Sequence, residues 1–269
     1  MTYRVGLVRY GAESHAWVLD LPGCIAGGRD AEALTRALPL VIAEHVAWLQ
    51  QHGERVDAST AWEAVVRIDV RTQADADGDF CFADDERPPS RGELEVCIAR
   101  LEFARADLLG LVALPEAILD WAPPRSSVEA FDAWAPETRS IRDIVGHVLS
   151  FEIFYRDGLN DGPASGIFEA VADAAAERNT TLTLLRSLSD EQRARVYRPV
   201  RPGTAGAGRW TVRKVMRRMI AHERAHAAAI QQRRTWILLG VPDRSAPGAD
   251  IRLALIPYWG RIIRRSTVY

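Results

Sequence analysis

The chain has one lysine, Lys214, and three cysteines, Cys24, Cys81 and Cys97, in 269 residues. The shortage of lysine limits covalent chemistry. Arginine stays protonated, so an enzyme working through a Schiff base would have to use Lys214. The cysteines are odd in number, far apart and without a C-x-x-C pair. That pattern carries no disulfide framework and suits packing better than nucleophilic chemistry. No apolar run approaches the roughly 20 residues of a membrane span. The opening "MTYRVGLVRYGAESHAW" lacks the basic start and apolar centre of a signal peptide. Formal net charge is only -2, which gives no general attraction to nucleic acid or membrane. These absences lead to the expectation of a reducing, cytoplasmic protein with neither nucleic-acid nor membrane partner.

What is present is ordinary globular composition, 48% hydrophobic and 26% charged. The length allows one large domain or two ordinary ones. Residues 1–72 read as α+β, a small antiparallel sheet with one main helix. "YRVGLVRY" and "HAWVLDL" are β-prone runs around the turn-like "GAES", which suggests a hairpin. The glycines of "PGCIAGG" suit tight turns. Asp30 can cap a helix over about 31–52, where Leu34, Leu38, Val41, Ile42, Val46 and Leu49 follow helical spacing and Gly53 ends the run. "WEAVVRIDVR" alternates well enough for a further strand. Residues 73–90 are acidic, end in a proline pair and read as a linker.

Strand signals nearly vanish after residue 90. Four long helical segments run over about 91–112, 140–158, 164–187 and 211–239. A short helix near 190–196 follows Ser189. Ser140 with Asp143 forms a capping-box pattern, and Thr211 and Gly240 bracket the last helix. Four such helices over 91–240 suggest an all-α four-helix bundle. The tail, 241–269, ends in the basic, amphipathic "IPYWGRIIRRSTVY" and is expected to pack on the bundle or on a dimer partner.

Three histidines fall in the bundle region. Val215, Met219, His222, His226 and Ile230 step by four, three, four and four residues. That spacing is one helical face, so both histidines should point into the core, one turn apart. His147 sits in "SIRDIVGHVLSFEIFY" with Ile144, Phe151 and Phe154 along its face. A buried imidazole needs hydrogen-bond partners or a metal. Two imidazoles at chelating spacing and a third on another helix fit a three-nitrogen site with a position left open. The alternative is three core histidines, each satisfied by a neighbour.

His222-Glu223-Arg224-Ala225-His226 also matches the H-E-x-x-H signature of zinc proteases. No histidine follows His226 to supply the downstream ligand such enzymes need. Glu223 lies about 100° round the helix from His222. It can orient a ligand, pair with an arginine or face water.

These segments resemble the DinB-like (DinB/YfiT) metal-binding four-helix superfamily. The resemblance rests on "TRSIRDIVGHVLSFEIFYRDGL" and the distant "RWTVRKVMRRMIAHERAHAAAIQQ", and covers about residues 91–240. It implies a divalent metal, zinc or nickel, on His147, His222 and His226. It also implies an enzyme of the thiol-dependent transferase or isomerase type, using a low-molecular-weight thiol with a small-molecule substrate. A cation at the site would favour the deprotonated sulfur. Because fold does not settle function, a non-enzymatic metal or interaction protein and a metal hydrolase stand beside that reading.

Residues 3–53 resemble the HicB-like (UPF0150) fold through "YRVGLVRY", "HAWVLDLPGCIAGGRD" and the helix that follows. The DNA-binding segment that accompanies this fold in antitoxins is missing. The resemblance therefore implies a module for a protein partner or a homodimer. Two further features bear on the bundle site. Arg218, one turn before His222, is placed to anchor a substrate anion or to stay salt-bridged. Asp143, one turn before His147, is placed to support a ligating imidazole or only to charge the helix start. The glycine-rich "RPGTAGAGRW" (201–210) is not a phosphate-binding loop, since no G-K-[ST] follows; it reads as a connection near the bundle end.

Overall fold

The computed structural model describes residues 1–10, 13–28, 30–70, 81–123, 140–161, 173–199, 208–241 and 243. Strands β1 (Tyr3–Tyr10), β2 (Glu13–Val18) and β3 (Ile25–Gly28) lead into helix α1 (Ala31–Gln51) and strand β4 (Trp62–Val70). The sheet order is β3-β2-β1-β4. β2 pairs antiparallel with both β1 and β3, as the hairpin pattern leads one to expect. β4 pairs parallel with β1, so the sheet is mixed and not antiparallel. The reason is the helix between β3 and β4: a crossover through α1 returns the chain beside β1 in the same direction. In "PGCIAGG" the expected turn falls at Gly23, with φ +94°, and the segment also holds β3, which the reading did not include. Ile25 and Ala26 are buried against their neighbours, and the flanking glycines hid a strand that has no polar face.

Alternate side chains of the sheet feed two different cores. Val5, Ala16, Val18 and Ala26 pack on Leu34, Leu38, Ile42 and Leu49 of α1. Val8, Trp17, Leu19 and Ile25 turn to the opposite face, against Phe82 and Ala221. Full burial of each large aliphatic side chain contributes roughly 1.5–3 kcal/mol. The sheet is thus covered on both sides, and its second cover comes from the helical part of the chain.

That part holds α2 (Arg91–Leu111), α3 (Glu116–Leu119), α4 (Ile141–Arg156), α5 (Ala174–Ser187), α6 (Asp190–Ala194) and α7 (Val212–Leu238). Short hydroxyl and carboxylate side chains begin all of them but α3. Ser90 Oγ accepts from the Glu93 N–H while the Glu93 carboxylate accepts from the Ser90 N–H. Ser140 and Asp143 repeat the arrangement at α4, and Thr211 caps α7 by accepting from the Lys214 N–H. Each such cap is worth about 1 kcal/mol. α2 and α4 each pack against both α5 and α7, around Leu101, Phe151, Phe154, Leu182, Leu185, Val215 and Met219. Of the helix expected from residue 164, residues 164–172 lie outside the described residues. So do 201–207 of the glycine-rich connection and, apart from 241 and 243, the whole tail. α3 has no counterpart among the expected helices; at four residues its periodicity is too short to read.

Residues 73–80 of the expected linker are likewise outside the described set, but within residues 81–90 Phe82, Asp85 and Pro89 are buried. The Phe82 ring lies against Gly6 of β1, where a Cβ would come within 2.5 Å of it. Asp85 is buried and accepts from the Arg217 Nε and Nη2 at 2.7 and 2.6 Å. The Arg217 guanidinium sits 4.5 Å from the Trp17 ring and 4.7 Å from that of Phe82. Further round, Trp48 Nε1 donates to Asp107 at 2.6 Å and Arg100 pairs with Glu54. None of the described helices is long and apolar enough to cross a membrane.

Candidate metal centre

α4 and α7 bring the three histidines together. His222 Nε2 lies 3.2 Å from His147 Nε2 and 3.1 Å from His226 Nε2. One ligand atom from each of the three fits within 4.8 Å of the others. Four ligands at about 2.05 Å around a tetrahedral zinc would stand roughly 3.3 Å apart, so the spacing matches a shared ion. The donor chemistry matches too. Neutral imidazoles whose Nε2 atoms converge must turn a lone pair toward another lone pair or spend a proton at each contact. A cation accepts all three lone pairs. The residues present therefore fit a divalent metal.

Burial grades across the trio. His226 is fully enclosed and His222 nearly so, while His147 is half-buried. The surroundings are aromatic: Phe151 lies 4.3 Å from the His147 ring and stacks on His222 at 4.7 Å, and Tyr155 meets His222 edge-on at 5.6 Å. The stripe from Val215 through Met219 to Ile230 is buried as its spacing indicates. α7 is in fact buried nearly all round, because the sheet covers the side that faces away from the other helices. Its basic residues follow. Lys214 is completely enclosed, donates to the Arg209 carbonyl at 2.7 Å and lies 4.4 Å over the Trp210 ring. Burial, with Arg218 adding to it, lowers its pKa to about 7.

Arg218 is buried, its guanidinium 5.9 Å from the Trp17 ring and 6.0 Å from that of Tyr155. It thus shares Tyr155 with His222. His15 of β2 faces the same region; burial first and Arg218 second lower its pKa to about 3, so it is neutral in the folded protein. His45 is buried against Arg224, which donates to its Nδ1. Burial, then Arg224 and Arg100, hold it well below the usual histidine range. His15 carried no sequence signal, since sheet contacts bring it to the helical part from a distant segment; His45 falls in the buried stripe of Leu38, Ile42 and Leu49.

Asp143 is exposed and its carboxylate accepts from the Ser140 N–H at 3.1 Å. Of its two sequence readings, this contact is the helix-start one. Glu223 is buried, and its Oε1 accepts from Arg105 Nη2 at 2.7 Å and from Arg178. Its carboxylate belongs to an ion cluster with Glu152, which Arg105 also reaches at 2.8 Å. For Arg105, burial opposes the charged form, but Glu223 and Glu152 outweigh it and raise the pKa. The sequence did hold a signal for this cluster. Arg105 falls in the buried stripe between Leu101 and Leu108, and Arg178 in that of Leu182 and Leu185. A charge in an apolar stripe calls for a buried partner.

Comparison with known proteins bears on the helical part. No curated protein matches the chain. Among solved structures it is similar to YfiT from Bacillus subtilis, described as a probable metal-dependent hydrolase with an unusual four-helix bundle topology. The identity is 18%, the match covers 61% of this chain and 95% of that one, and the TM-score is 0.41. Residues 100–230, which hold all three histidines, match the family model of the DinB superfamily. Over those residues the chain is DinB-like.

Proposed function

We propose that the chain is a divalent-metal-dependent enzyme of DinB type, a thiol-dependent transferase or isomerase, with the metal, zinc or nickel, on His147, His222 and His226. The convergence of three Nε2 atoms from two helices carries this reading. A bound cation would supply Lewis acidity that favours the deprotonated form of a thiol at its open position. Three protein ligands leave that position open, and half-buried His147 marks the side from which it is reached. Phe151 and Tyr155 keep the imidazoles in a poorly hydrated, low-dielectric setting where charge interactions strengthen. Arg218, near the Tyr155 ring, anchors a substrate anion. The N-terminal unit, which resembles the HicB-like fold, is a binding or oligomerisation module.

The test uses untagged protein with cobalt(II) in place of the native ion. A low-molecular-weight thiol should add a sulfur-to-cobalt absorption band in the near ultraviolet, and His147→Ala should abolish it. Cobalt binding without any response to thiols, together with ester or amide hydrolysis, would replace the thiol reading with a hydrolase. A metal that exchanges with no added ligand would make the site structural.

A further inference from the structure

Four charged side chains are buried between the helices, one from each of the four that pack together: Arg105 on α2, Glu152 on α4, Arg178 on α5 and Glu223 on α7. Their side chains are 8, 1, 9 and 4% exposed. Each arginine meets both carboxylates. Arg105 Nη2 is 2.8 Å from Glu152 and 2.7 Å from Glu223. Arg178 Nε is 3.3 Å from Glu152 Oε1, and its Nη2 pairs with Glu223. The charges cancel within the square.

The two carboxylates sit on the two helices that carry the histidines. Glu223 directly follows His222. Glu152 directly follows Phe151, whose ring touches both His147 and His222. Two like-charged groups on α4 and α7 are thus tied by two arginines at the level of the histidines. A slip of α4 along α7 by one helical turn, about 5.4 Å, would part Glu152 from both arginines, whereas apolar contacts tolerate such slips. As a pure stabiliser the square is incomplete: Arg105 Nε, Arg178 Nη1 and Glu223 Oε2 are buried with no hydrogen-bond partner among the described residues. A buried ionic network contributes less to stability than apolar packing of equal volume, and fixing a register is its best-attested use.

We propose that the Arg105–Glu152–Arg178–Glu223 square is the positioning device of the metal centre. It fixes the register of α4 on α7 that brings His147 to His222 and His226. The inference rests on the three-histidine metal reading. None of the four residues is a ligand in it.

The experiment is cobalt(II) titration of the full-length chain, following the visible bands. Arg105→Met combined with Glu152→Met keeps the cluster neutral and leaves Arg178–Glu223 joining only α5 and α7. The variant should keep a native far-ultraviolet spectrum and a cooperative melt, yet bind cobalt roughly 10–100-fold more weakly, the loss seen when the supports of metal ligands are removed. Its visible bands should shift as the site distorts. Leu38→Ala, in the core against the sheet, should lower the melting temperature and leave cobalt affinity unchanged. Should the double variant fail to fold, Arg105→Lys keeps the charge, loses the planar fork, and should weaken cobalt binding several-fold. Wild-type affinity and spectrum in the folded variant would overturn the proposal, as would an equal loss in Leu38→Ala. A wild-type chain that takes up no cobalt would overturn the metal reading itself, and the inference with it.

Discussion

Glu223→Gln separates a glutamate that serves catalysis from one that serves the fold. In a metalloprotease the middle glutamate of H-E-x-x-H is the general base, and its amide analogue leaves the fold intact. Here Glu223 is buried among Arg105, Arg178 and Glu152. The substitution leaves two guanidinium groups facing one carboxylate, a net buried positive charge. Breaking a buried pair in this way costs about 3–5 kcal/mol, and all four side chains are at least nine-tenths buried, so no solvent screening reduces it. At about 2–4 °C per kcal/mol for a chain of this size, the melting temperature should fall by roughly 6–20 °C. Thermal and urea unfolding followed by circular dichroism measure it. The neutral pair Arg178→Met with Glu223→Met should recover part of the loss, giving a coupling energy above about 1 kcal/mol in the double-mutant cycle. A Glu223→Gln protein that melts within about 2 °C of wild type would refute the reasoning.

Stability should fall as pH drops from 7 toward 5. His15 and His45 have folded pKa values below the unfolded histidine value, so the unfolded chain binds more protons there. Their contribution is present above pH 6.5 and is lost as pH falls toward the folded values. Unfolding of His45→Asn should show a shallower pH dependence, and an unchanged slope would contradict the assignment. Gly23→Ala should destabilise by about 1–3 kcal/mol in urea, because φ is +94° and a Cβ would stand 2.3 Å from Ile220 Cγ2. A neutral outcome would mean that the turn does not bear on α7. Burial raises the thiol pKa of Cys24 to about 12 and of Cys97 to about 11, and raises that of Cys81. The folded protein should therefore resist alkylation by iodoacetamide at pH 7.5, and all three thiols should react in denaturant.

The parts of this molecule that periodicity and capping control are legible in its sequence. Asp30, Ser140, Ser189 and Thr211 each begin the helix they announce. The two-helix origin of the histidine trio follows from spacing, since i and i+4 residues share a face whatever packs against it. Relations between distant segments are what the sequence conceals. The parallel pairing of β4 with β1 depends on where α1 delivers the chain. The strand in "CIAGG" depends on two covered faces that suppress alternation. The burial of Arg217 and Arg218 depends on the sheet, whose Trp17 lies against both, and no local pattern reports that. Glu223 looked like part of a metal signature because it adjoins His222. Its role is set by Arg105 and Arg178, more than 40 residues upstream.

The central claim is that His147, His222 and His226 hold one divalent ion. Metal analysis of untagged wild-type protein beside His147→Ala, His222→Ala and His226→Ala tests it most directly. The account predicts about one zinc or nickel per wild-type chain and its loss in each variant, with the far-ultraviolet spectrum retained. Metal-free wild-type protein after purification and reloading, or full occupancy in His147→Ala, would contradict it.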